Sequence, residues 1–102
     1  MKILHLTLRK KWFNLIKAGE KVNEFREYKQ YWIARLEDGK GNLKKFDIVR
    51  FRAGYSKSAP TIDVEFIDSF RCYAPGGWIG DCGECVPEKS IVIKLGRVLT
   101  AI

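Results

Sequence analysis

The segment from Thr61 to Phe70, TIDVEFIDSF, alternates apolar and polar residues and puts Ile62, Val64, Phe66 and Phe70 on one side. A side-chain period of two is the mark of a half-buried strand. FDIVRFR (Phe46 to Arg52) precedes it as another strand, across the loop AGYSKSAP. After it, residues 71–90 read as a long irregular segment, and IVIKL (Ile91 to Leu95) closes the chain as a buried strand. Three strands in succession without a helix favour antiparallel pairing. A doubly wound parallel sheet would need more strand–helix alternation than 102 residues leave room for.

The first half supplies the other elements. Ile3 to Leu8 alternates, with Leu4, Leu6 and Leu8 on one face and His5 and Thr7 on the other. RKKWFNLIKAG then switches to helical spacing, with Trp12, Leu15 and Ile16 on one side. Thr7 caps this helix or stands just before it, and Gly19 suits the residue after its end. Lys21 to Arg26 reads as a second strand in which Val22, Glu24 and Arg26 share one parity. EYKQYWIARLEDGKGN reads as a second helix carrying Tyr28, Tyr31, Trp32 and Leu36, stopped by Gly39 and Gly41. The expectation is one α+β domain over residues 1–102. Its mostly antiparallel strands curl into a small β-barrel, with two main helices packed at the ends.

Charge narrows the partner. The net charge is +7. Residues 1–57 hold fifteen Lys and Arg against six Asp and Glu, while residues 58–102 hold four against six. A basic half with many aromatics points to a polyanion, nucleic acid first. No apolar run approaches the roughly 18 residues of a membrane span. The opening residues lack the apolar core of a signal peptide, so no membrane and a cytoplasmic location are expected.

Cys72, Cys82 and Cys85 make an odd count, which argues against a disulfide framework. DCGEC places Cys82 and Cys85 at half of a zinc spacing, with only Cys72 and the distant His5 to complete it. Val86-Pro87 follows where a redox pair would open a helix. A plain surface loop is the expectation; no metal or cofactor is, and Cys82 and Cys85 are the weak metal candidates.

GEKVNEFR, Gly19 to Arg26, concentrates charge where a strand is expected. Glu24 and Arg26 project the same way, roughly 7 Å apart at their bases. Glu accepts from an amine or amide, and Arg offers a planar fork to phosphate or carboxylate. Lys21 has the opposite parity, yet it follows Gly19, where the backbone need not be regular. On spacing alone, a solvated edge whose charges pair casually competes with a ligand site.

Gly19, Lys21, Glu24 and Arg26, read as G-x-K-x-x-E-x-R, resemble the signature of the ASCH domain, a branch of the PUA-like superfamily. Leu6, Leu8, Trp12 and Phe13 are similar to that family's opening, as are FDIVRFRAG and IVIKLG to its later strands. The resemblance spans nearly the whole chain. It implies a PUA-like barrel with a cleft between barrel and helix, lined by the signature residues, and an RNA or nucleotide-derived ligand. It also implies an alternative, hydrolysis of a modified nucleoside amide of the acetylated-cytidine type or of RNA phosphodiesters. In amidohydrolase-type members a threonine stands where this chain has Glu24. A hydroxyl activated by a lysine attacks an acyl carbon. Glu24 is no such nucleophile, and in an enzyme it would be a general base for water with Lys21 as activator. Glu65 is a candidate, by strand position, for the family's downstream glutamate.

In RFRAGYSKSAP, backbone amides near Gly54 with Ser56 and Lys57 suit a phosphate, and Tyr55 suits a base. Arg52, Tyr55, Ser56 and Lys57 are therefore expected to extend an RNA-binding surface. Trp78, in the glycine-rich APGGWIG, is a candidate to cover or stack on a ligand. Trp12, Tyr31 and Trp32 are expected in the core, and His5 is read as a structural, partly exposed histidine.

Overall fold

The structure, a computed structural model, describes residues 1–101, with side chains as far as Leu99. Ile102, the last residue of the expected domain, lies outside the described residues. In chain order the elements are β1 (Ile3–Leu8), α1 (Lys10–Lys17), β2 (Asn23–Glu27), α2 (Gln30–Leu36), β3 (Ile48–Ala53), β4 (Thr61–Tyr73), β5 (Trp78–Ile79), β6 (Cys85–Val86) and β7 (Lys89–Ala101). Five strands form one sheet in the order β1-β3-β4-β7-β2, and β5 and β6 form a separate hairpin. Among the described residues only β1 and β3 run parallel; β3–β4, β4–β7 and β7–β2 are antiparallel. The result is an α+β fold with a curled half-barrel sheet and two helices. β1 and β2 lie at its two ends, and no ladder among the described residues joins them.

The alternation of β1 puts Leu4, Leu6 and Leu8 into the core and leaves His5 exposed. They meet Val49 and Phe51 of β3, Ile62, Val64 and Phe66 of β4, and Ile91, Ile93 and Leu95 of β7. α1 adds Phe13 and Ile16, each worth roughly 2 kcal/mol of apolar burial. That burial matters because α1 starts poorly. Its N-cap is Arg9 without a side-chain bond among the described residues, its first turn carries no acid, and Thr7 stays in β1 instead of capping. Packing, not propensity, holds this helix.

Three strand and helix expectations need correction. The second helix ends at Leu36, before Gly39 and Gly41. Asp38 Oδ1 accepts the backbone N–H groups of Lys40 (2.7 Å) and Asn42 (3.2 Å), and Glu37 bridges to Leu43. A side chain that bonds its own backbone offers an alternative to the helix, and here it wins. Second, residues 71–90 are not wholly irregular: β4 runs on to Tyr73, the β5–β6 hairpin fills the middle, and β7 begins at Lys89. Third, Phe70 is 45% exposed. Phe66 pairs with Leu95 but Asp68 pairs with Lys94, so β4 carries one extra residue between them. A one-residue bulge flips every later side chain to the other face.

Candidate functional site

The turn after α1 sets the position of Lys21. Gly19 has φ +79, the left-handed region where a side chain would be strained. Its N–H donates to Ile16 O (3.0 Å), and the N–H groups of Glu20 and Lys21 both donate to Leu15 O (2.9 and 3.1 Å). This Schellman closure ties the chain down until Leu95 N–H bonds Val22 O at 2.9 Å and sheet pairing starts. Lys21 therefore precedes β2, and strand parity does not apply to it. Its side chain turns inward, and the residue is only 3% exposed.

Lys21, Glu24 and Arg26 do come together. Lys21 Nζ donates to Asn23 O at 2.6 Å and lies 3.4 Å from Glu24 Oε1. Glu24, also buried, receives Arg26 Nη1 on its other oxygen at 2.8 Å. The cations lie against aromatic rings: Lys21 Nζ is 4.9 Å from the Phe25 centroid and 5.6 Å from that of Trp12, and Arg26 Cζ is 4.8 Å from that of Trp32. Buried charges need partners on every side to offset lost hydration.

The fourth member of the cluster is Glu84, which nothing in the local sequence marks. Its Oε2 pairs with Lys21 Nζ, and its Oε1 accepts Cys82 N–H at 2.9 Å. The β5–β6 hairpin carries it there, pinned by Gly80 N–H to Glu84 O (2.8 Å) and by Cys82 Sγ to Glu20 O (3.6 Å). Gly80 has no side chain because Glu84 crosses it: a Cβ there would sit 2.6 Å from Glu84 Oε1 and 3.2 Å from Phe25 Cε2. Burial pushes the Glu84 carboxyl up, but the Lys21 hydrogen bond and the backbone N–H groups of Glu84 and Cys82 outweigh it. The carboxyl is held below its ordinary value of 4.5. DCGEC is thus a loop with a task, delivering Glu84. Cys72, Cys82 and Cys85 are free thiols, and no group of three or more His, Cys, Asp or Glu among the described residues is placed to hold a metal.

No protein-family model, curated protein or solved structure matches this chain. The chemistry of the site rests on its own geometry.

The cluster forms one wall of a cleft of about 320 Å³, lined further by Thr7, Leu8 and Arg9 at the end of β1, Trp12 of α1, and Cys85 and Pro87. That volume is at the lower end of the roughly 300–1,000 Å³ typical of small-ligand sites. Lys21 and Arg26 balance Glu24 and Glu84, so this wall is close to neutral while dense in donors and acceptors, and Arg9 adds one cation to the rest of the lining. Such a wall suits a polar, uncharged group better than a free phosphate. Arg26 Nη2 bonds Thr7 O at 3.5 Å, the weak limit of a hydrogen bond, and the buried Nε has no partner among the described residues, so this guanidinium keeps donor capacity.

The other expected site residues lie elsewhere. Trp78 packs edge-on against Phe25 at 5.3 Å and lines a different hollow with Phe70 and Cys72, so it backs the cleft instead of covering it. Arg52 spends its guanidinium on the carbonyls of Ser56 (2.8 Å) and Lys57 (3.0 Å), bracing the loop. Ser56 Oγ lies 3.1 Å from Ser58 Oγ, and both Ser56 and Lys57 are exposed outside the cleft. Tyr55 is 91% exposed. Glu65 sits opposite Ile48 in the β3–β4 ladder and accepts Arg97 N–H at 3.4 Å, away from Lys21. Trp12 and Trp32 are half-buried and pack against the core as helical spacing suggested, with Trp12 also lining the cleft, whereas Tyr31 is 53% exposed and is no core aromatic.

Proposed function

We propose that this chain is an ASCH-type domain that binds RNA or a nucleotide-derived ligand, with a nucleobase or similar flat polar group in the cleft. The observation that carries this reading is the buried, charge-balanced array Glu84–Lys21–Glu24–Arg26 at the open seam between β1 and β2. A nucleobase presents donors and acceptors on one edge and a π face on the other. Arg26 and the carboxylates suit the edge, and Trp12 suits the face.

The same array supports a second reading, hydrolysis of a nucleoside amide or an RNA phosphodiester. Lys21 would polarise the scissile carbonyl or phosphoryl, and a carboxylate would take a proton from water. Two details weigh against it. Both Glu24 oxygens are engaged by cations, and the lowered pKa of Glu84 makes it a weak base.

Trp12 supplies the readout. Cytidine, N4-acetylcytidine and cytidine monophosphate are titrated against the tryptophan fluorescence of wild type, Lys21→Met and Arg26→Lys. Saturable quenching that weakens about tenfold in Arg26→Lys is expected, because lysine keeps the charge but loses the fork. Absence of any saturable signal with all three ligands, and with a short single-stranded RNA, would sink the binding reading. Release of acetate from N4-acetylcytidine, lost in Lys21→Met, would replace it with the hydrolase.

A further inference from the structure

A second hollow, about 560 Å³, lies on the far side of Arg26 from the cleft, and Thr7 and Arg26 line both. Its other walls are His5 of β1, Lys29, Tyr31, Trp32 and Arg35 on or beside α2, and Tyr55 from the β3–β4 loop. The two spaces differ in charge. The cleft sets Glu24 and Glu84 against Arg9, Lys21 and Arg26, whereas Arg26, Lys29 and Arg35 face the groove with no carboxylate among its lining residues. Among the described residues no ion pair engages Lys29 or Arg35. The aromatics differ as well. Arg35 stacks on the exposed Tyr31 ring with Cζ 3.6 Å from its centroid, and Tyr55 stands almost fully in solvent.

Cations without partners attract phosphate, and exposed rings beside them offer stacking that any base can use. Arg26 sits at the junction, with Nη1 given to Glu24 on the cleft side and Nη2 nearly uncommitted. We propose that the ligand is a single-stranded polynucleotide that crosses Arg26. One base enters the cleft against its charge-balanced wall, the adjoining phosphates lie along Arg26, Lys29 and Arg35, and the next base stacks on Tyr31 or Tyr55. This rests on the cleft reading above and deepens it: the natural ligand is a linked chain, and its track runs over α2. Arg52 and Lys57 of the neighbouring loop brace that loop or lie outside the track.

The test uses fluorescein-labelled eight-nucleotide single strands of one mixed sequence, as RNA and as DNA, in fluorescence anisotropy at several salt concentrations. Lys29→Ala/Arg35→Ala is expected to weaken binding about tenfold. It should also lower the slope of log affinity against log salt by about 1.4, at roughly 0.7 per phosphate contact on a single strand. Tyr31→Ala/Tyr55→Ala is expected to weaken binding about tenfold through lost stacking. Lys44→Ala/Lys45→Ala removes equal charge elsewhere and should stay within twofold of wild type. Wild-type affinity and slope in Lys29→Ala/Arg35→Ala would overturn the proposal, as would an equal loss in the Lys44/Lys45 variant. Lys21→Met reports on the cleft separately: if it alone weakens binding, the cleft reading stands and the groove falls. If only the groove variants do, the groove stands and the cleft reading falls. Failure of wild type to bind either strand overturns both. Tighter binding of the RNA strand identifies RNA as the source of the phosphates, and equal binding extends the ligand to single-stranded DNA.

Discussion

Lys21 and Glu84, sixty-three residues apart, form an ion pair in which the lysine side chain is 1% exposed and the glutamate 12%. The pair joins the turn after α1 to the β5–β6 hairpin. A lysine this deep needs its carboxylates, and the hairpin holding Glu84 has only two residues in each strand.

Removing the cation should therefore cost more than removing a surface charge. Lys21→Met is expected to lose about 3 kcal/mol, because Glu24 and Glu84 stay buried facing each other's charge. In Lys21→Met/Glu84→Gln the loss should be smaller than the sum of the singles by at least about 1 kcal/mol. Urea unfolding of the four proteins gives the cycle. An additive result would mean that the two side chains do not meet.

Acid should act through the same contact. The Glu84 carboxyl is held below 4.5 in the folded chain, so its contribution is fully present above that value and is lost as pH falls through the lowered one. Asp63, below its ordinary 3.8 chiefly through its hydrogen bonds from Arg50, adds to the loss at still lower pH. The urea midpoint should hold steady from pH 7 to about 5 and fall below that. Glu84→Gln should have a shallower fall than wild type. Identical acid limbs would count against a charged Glu84 in the fold.

Gly80 offers a test of fit. Gly80→Ala is expected to cost about 1–2 kcal/mol, since its methyl must displace the Glu84 carboxylate. Most of that cost should vanish in a Glu84→Ala background, where only the 3.2 Å approach of Phe25 Cε2 remains. Thermal midpoints of the two pairs settle it. An equal cost in both backgrounds would place the strain in the backbone instead.

The bulge in β4 makes a contrast between two phenylalanines. Phe66→Ala should cost about 3–5 kcal/mol, as truncation of a buried aromatic does. Phe70→Ala, with the same parity in sequence but 45% exposure, should cost under about 1 kcal/mol. Similar losses would show that both rings face the core and that the bulge is absent.

Much of this fold follows from short-range pattern. The leucines of β1 and the helical spacing of α1 lie where a period of two or 3.6 places them, because the backbone repeat is set residue by residue; Gly19 marks the helix end, and the unbroken apolar run Ile91–Ile93 marks a buried strand that runs from Lys89 to Ala101. Lys21, Glu24 and Arg26 lie within six residues of one another just after that turn, so their proximity was legible, but the inward turn of Lys21 ahead of β2 was not, because no strand period governs it. Where the sequence misled, the regular backbone repeat had been interrupted, once by a side chain and once by a bulge. Asp38 ended α2 early, and one extra residue in β4 turned Phe70 outward.

What tertiary structure alone decided is the company these residues keep. Glu84 reaches Lys21 only because the sheet order brings the chain after β4 back beside β2. No local period records which loop will fold over a given charge. The same closure separated the expected binding residues, turning Arg52 onto its own loop and Trp78 behind Phe25, while Lys29, Arg35 and Tyr31 gathered beside Arg26. Sequence determined that a charged segment follows α1. Folding decided that it is a buried, neutralised wall with an unneutralised groove next to it, because charge balance in a low-dielectric site is a property of neighbours in space.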